Sequence, residues 1–114
     1  MNDKIEQGYL YDFYGELLND HQRNIYEDFV LQDLSLSEIA SEYDISRQAV
    51  HDVIRRATKT LEEYEKKLHL IEKFVHIRDK VEQIDTLVNN TSQERVEDIL
   101  TSISTISNEI LEEL

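Results

Sequence analysis

Apolar side chains return every three or four residues along nearly the whole chain, the spacing of amphipathic helices. Leu10, Phe13, Tyr14, Leu17 and Leu18 form the first stripe and predict a helix over Ile5 to Leu18. Asn19, with Gln22 three residues on, has the form of a capping box. It predicts a second helix from about Asp20 to Leu31, with Ile25, Tyr26, Phe29 and Val30 inward. Ser35-Leu36-Ser37-Glu38 repeats the signature with its glutamate in place. The short helix it opens has Leu36, Ile39, Ala40 and Tyr43 on its inner face. Asp44 ends that helix, Ile45 faces the core, and Ser46 caps a fourth. The fourth carries Ala49, Val50, Val53, Ile54, Ala57 and Leu61 inward.

From Leu61 the rhythm changes. Leu61, Tyr64, Leu68, Ile71 and Val75 step by three and four; Phe74, Ile77, Val81, Ile84 and Val88 repeat those steps in a shifted frame. The shift near residues 71–75 predicts a kink, a new helix or a change of packing partner. Asn89-Asn90-Thr91-Ser92 reads as a turn, and Thr91 with Glu94 as a further capping box. The last helix is expected over about Ser92 to Glu113. It aligns Val96, Ile99, Leu100, Ile103, Ile106, Ile110, Leu111 and Leu114. The two final helices should pair antiparallel. The expected architecture is all-α, with a domain over residues 1–62 and an acidic helical extension over 63–114. Such a hairpin buries too little surface to stand alone. Its stripe is therefore expected to cover the first domain or a second copy of the chain; a homodimer is the expected state.

Composition agrees. There is no proline and there are two glycines, Gly8 and Gly15, which argues against β-turns and hairpins. Apolar residues make up 39% of the chain, enough for a globular fold. Cysteine is absent, so there is neither a disulfide framework nor a thiolate metal site. No apolar run approaches the length of a membrane span, and the opening residues lack the order of a signal peptide. The expected setting is the cytoplasm, with no membrane partner.

The net charge is −13, and its distribution is uneven. Residues 1–45 carry a net of −9 and residues 61–114 a net of −7. Between them, residues 46–60 hold Arg47, Arg55, Arg56 and Lys59 against Asp52, a net of +3. A non-specific nucleic-acid binder is normally basic overall. This chain should repel a phosphate backbone except where the short island faces it.

That island belongs to the segment LSLSEIASEYDISRQAVHDVIRRA, which meets the demands of a helix-turn-helix. Ala40 is the small residue at the helix crossing. Asp44 stands in the turn where glycine is usual, at a cost of about 1 kcal/mol of backbone strain. Ile45, Val50 and Val53 seal the second helix onto the first. In a major groove, the leading exposed residues of that helix would be Arg47, Gln48 and His51, with Arg55 one turn on. Arg can pair with guanine and Gln with adenine. Arg56 and Lys59 would contact phosphate, which makes DNA a candidate partner.

Two resemblances follow from these residues. Leu18, Gln22-Arg23, Ser35, Glu38-Ile39-Ala40, Ile45-Ser46, Val50, Arg56-Ala57 and Leu61 resemble the fourth conserved region of bacterial sigma factors. There such a unit reads the −35 promoter element. More closely, Asp12-Phe13-Tyr14 with Leu17-Leu18, then SLSEIASEYDISRQAVHDVIRR and LEEYEKKLHL, resemble the YlxM family of small helix-turn-helix proteins. That resemblance covers about residues 9–75. It implies a regulatory or accessory role in the signal recognition particle pathway, because the family's genes typically sit beside those of the particle's protein and its receptor. It brings no catalytic residues and no cofactor.

Other constellations read as structure. His69, Glu72, His76 and Asp79 share one helical face, but four ligands spread over three turns cannot converge on one ion. No metal site is expected, and the row is taken as a solvated face. Tyr9, Tyr11 and Tyr14 are assigned to core and rim, with Tyr11 the least buried. No phosphate loop, nucleophile elbow or metalloprotease spacing occurs, so no enzyme is expected.

Overall fold

The computed structural model describes residues 4–90 and 95–114. The described residues form six α-helices: α1 (Lys4–Tyr14), α2 (Asp20–Val30), α3 (Leu36–Tyr43), α4 (Arg47–Leu68), α5 (Leu70–Asn89) and α6 (Val96–Glu113). A single 3₁₀ turn, Gly15–Leu17, follows α1. No strand occurs among the described residues, so the all-α class is observed.

The helix starts follow the sequence signals closely. Asn19 accepts a hydrogen bond from the Gln22 amide at 2.8 Å, one half of the expected box. Both halves form at α3. The Glu38 amide donates to Ser35 Oγ at 3.1 Å, and the Ser35 amide donates to Glu38 Oε1 at 3.0 Å. Ser46 Oγ accepts from the Ala49 amide at 3.0 Å and opens α4.

The chain packs as two units, one ending at Ile71 and one running from Glu72 to Leu114. In the first, α4 lies against α1, α2 and α3. Its core comprises Leu10, Tyr14, Leu18, Ile25, Tyr26, Ile39, Val50, Ile54, Ala57 and Leu61. Tyr26 is fully buried, and its hydroxyl pairs with Thr58 Oγ1 at 2.8 Å. Thr58 in turn donates to the Ile54 carbonyl, so no polar group is stranded there. Gly15 is buried, and a Cβ there would stand 2.7 Å from the Tyr11 ring.

Several expectations need correction. Leu17 is exposed, because the 3₁₀ turn advances each residue further round the axis than an α-helix does. The second helix of the helix-turn-helix, α4, runs 22 residues, well past the turn-proximal part that carries the exposed basic residues. The expected domain boundary lay after residue 62, whereas Tyr64 and Ile71 pack on the first unit's core. The break expected near 71–75 comes earlier, at His69, which is left-handed (φ 56°) and caps α4. A new helix starts at once. The Ile71 amide donates to Glu65 Oε1 at 2.9 Å, and the Leu70 amide to the Tyr14 hydroxyl at 3.2 Å. These bonds satisfy open amides at the start of α5. Glu65 also accepts from the Tyr14 hydroxyl at 2.5 Å.

In the second unit α5 and α6 run antiparallel. His76 Nδ1 lies 2.9 Å from Glu113 Oε1, and Lys80 pairs with Glu109. Ile99 and Ile106 are the buried residues of α6. That helix begins at Val96 with Arg95 at its N-cap rather than at Ser92. The proposed Thr91–Glu94 box lies outside the described residues.

Candidate functional site

The helix-turn-helix is built by α3, the turn at Asp44 and the first half of α4. Asp44 takes up the left-handed conformation (φ 53°, ψ 46°), where glycine is usual and Asp is tolerated. That turn lets the Ile45 amide reach back to the Ala40 carbonyl at 3.1 Å. Val50 is fully buried. Ala40, Ile45 and Val53 are half-buried and pack against the same core. These contacts fix the orientation of α4 and decide which of its residues meet solvent.

All six expected surface residues are exposed: Arg47, Gln48, His51, Arg55, Arg56 and Lys59. They do not form one stripe. His51, Arg55 and Lys59 line an open cleft of about 480 Å³ with Gln7, Phe29 and Leu36. Arg56 lines a different cleft of about 370 Å³, with Asn19, His21 and Gln22. Arg56 and Lys59, the two expected phosphate contacts, therefore face different clefts.

Asp52 is the residue that sequence reasoning passed over. Gln48 Nε2 donates to its Oδ1 at 3.2 Å. His51 Nδ1 and Arg55 Nη2 each lie 3.9 Å from the same oxygen. One carboxylate thus faces three of the six candidates. The signal was present in the spacing, since Gln48 and Arg55 stand four before and three after Asp52. Arg47 is left as the cation at the start of α4, whose first turn carries no acid. That end is the positive end of the helix dipole.

The tyrosines act structurally. Tyr14 is buried, and its hydroxyl is pushed up to about 12, chiefly by burial and then by its bond to Glu65. Tyr11, expected to be the least buried, is half-buried: its ring stacks on Tyr26 and its hydroxyl donates to Glu27 at 2.8 Å. Burial and Glu27 push it up to about 12 as well. The row from His69 to Asp79 is not one helical face, because His69 lies between α4 and α5. Among the described residues no helix is long and apolar enough to cross a membrane.

Comparison with known proteins agrees with this architecture. Residues 1–103 match the model of the UPF0122 family, described as "Putative helix-turn-helix protein, YlxM / p13 like". A UPF0122 protein of Shouchella clausii is 59% identical over 75 residues, 65% of this chain and 69% of its own length. One from Halalkalibacterium halodurans is 42% identical over 108 residues, 93% of this chain and 99% of its own length. One from Thermoanaerobacter pseudethanolicus is 44% identical over 104 residues, 90% and 89% respectively. With a helix-turn-helix in place and a family match over most of its length, this chain belongs to the UPF0122 family of YlxM-like helix-turn-helix proteins.

Proposed function

We propose that this protein is a non-enzymatic regulatory or accessory factor of the signal recognition particle pathway, acting in the cytoplasm through a basic protein partner. The observation that carries this reading is the position of Asp52. It accepts from Gln48 and lies near His51 and Arg55, and so offsets part of the short cationic region of a chain whose net charge is −13. A surface of this kind attracts basic protein and repels a phosphate backbone. The particle's RNA-binding protein is a basic partner within the pathway that the YlxM resemblance implies. The test is a pull-down and titration of the full chain with that protein at moderate salt. Association that weakens with added salt, with a change in the partner's GTP hydrolysis, is the expected result. No measurable association and no effect on hydrolysis would remove this reading.

A second reading, a sequence-specific DNA-binding regulator, is favoured by one observation: Arg47 and Gln48 stand exposed at the leading end of α4. Selection from random duplex DNA separates the two. An enriched motif that is lost in Arg47→Ala with Gln48→Ala supports the regulator. Failure to enrich any motif excludes it.

A further inference from the structure

The hairpin of α5 and α6 has two unlike sides. On one, Asp79, Gln83 and Thr86 of α5 and Thr101, Ser102 and Thr105 of α6 line an open groove of about 850 Å³. At about 3.6 residues per turn, the opposite side carries Val81 and Val88 of α5 with Val96, Leu100 and Leu111 of α6 and Leu114 at its C-cap. These six side chains are between 51% and 79% exposed. No charged residue interrupts their rows: Ile77 and Ile84 lie along the first, Ile103 and Ser107 along the second. Together they leave on the order of 600 Å² of apolar side chain in water, more than isolated surface residues account for.

We propose that a second copy of this chain covers this face, two α5–α6 hairpins closing into a four-helix bundle. Three features select that occupant. First, the rows keep heptad spacing, as in Val81 to Val88 and Leu100 to Leu114, which fits partner helices lying nearly parallel. Second, α5 presents valines, and α6 presents leucines after its first residue, Val96. A two-fold arrangement that sets α5 of one copy on α6 of the other opposes small against large side chains along its length. Third, the exposed area is close to one partner's apolar share of a standard interface of about 800 Å² per side. A lipid surface fits poorly, since residues 72–114 carry a net charge of −6 and anionic bilayers repel it. The same acidity makes the two copies repel at long range, so the dimer should tighten as salt rises.

The test is sedimentation of the full chain across concentration and salt, beside two double variants. Val81→Glu with Leu100→Glu places charge on the apolar face at positions that a lone chain leaves exposed. It should weaken the dimer on the order of a hundredfold while the helical circular dichroism signal persists. Thr86→Glu with Thr105→Glu, in the opposite groove, should leave the dimer intact. Hydrogen exchange on the unaltered protein guards against a misfolded variant: raising its concentration should add protection in α5 and α6 and not in α1 to α4. A chain that stays monomeric at about 100 µM, whether or not another protein binds this face, overturns the proposal. So does a dimer that survives Val81→Glu with Leu100→Glu, or that loosens with salt.

Discussion

The two units of this protein are both amphipathic and helical, yet they use their apolar residues differently. Up to Ile71, ten apolar residues are buried in one cluster, and α4 is covered by three helices. From Glu72 onward, the described residues bury only Ile99 and Ile106, while Val81, Val88, Leu100 and Leu111 meet solvent. The period of a stripe reports that a segment will be a helix. What covers the stripe depends on how many other helices are at hand. The first unit has enough of them within its own chain; two antiparallel helices do not.

The largest expected effect breaks that contrast from the filled side. Ile39→Ala should cost about 2–5 kcal/mol in urea unfolding, because its fully buried site cannot collapse around the gap. Ile106→Ala should cost less in dilute solution, since fewer neighbours enclose it. Equal losses would erase the distinction between the units. Gly15→Ala comes next, at about 1–3 kcal/mol: its Cβ would meet Tyr11 Cδ1 and Cε1 at 2.7 Å. Pairing it with Tyr11→Ala should recover part of the loss, which thermal denaturation of the double variant would reveal.

Alkaline titration sharpens the same comparison. Tyr11 and Tyr14 are raised from 10.0 to about 12 in the fold. Above pH 10 the unfolded chain loses protons that the folded chain keeps. Their contribution is therefore complete below pH 10 and falls away as pH rises through about 12. Phenolate absorbance should show Tyr11 and Tyr14 ionising well above the ordinary tyrosine value of 10.0, with the first unit unfolding as they do. The second unit contains no tyrosine and should show no such step. A smaller effect is expected at the turn: Asp44→Gly should stabilise by no more than about 1 kcal/mol by relieving the left-handed strain. Smallest of all, Arg47→Ala with Gln48→Ala should change stability by less than about 0.5 kcal/mol, as both are exposed.

Much of the first unit could be read from residue order alone. Ser35 with Glu38, Ser46, and the inward row of Val50, Ile54, Ala57 and Leu61 all rest on local rules of capping and period, and those rules hold there. The departures come where distant residues decide. His69 ends α4 with the amides that follow it held by Tyr14 and Glu65, and Tyr14 lies far away in sequence. The candidate site was legible as a set of exposed residues but not as an arrangement. Which cleft Arg56 or Lys59 enters depends on where α1, α2 and α3 lie against α4, and periodicity along α4 carries no record of that. Asp52 entered the sequence reading only as one unit of charge. Its weight comes from the three side chains gathered around one oxygen.

The central claim is that a basic protein, rather than a nucleic acid, is met by this acidic chain. It is tested most directly by titrating the signal recognition particle's RNA-binding protein with three forms of the full chain: unaltered, Arg47→Ala with Gln48→Ala, and Asp52→Asn. The account predicts binding that added salt weakens, unchanged within about twofold in the arginine–glutamine variant and no tighter in Asp52→Asn. Binding that is absent in the unaltered protein, or that the arginine–glutamine variant abolishes, would contradict it.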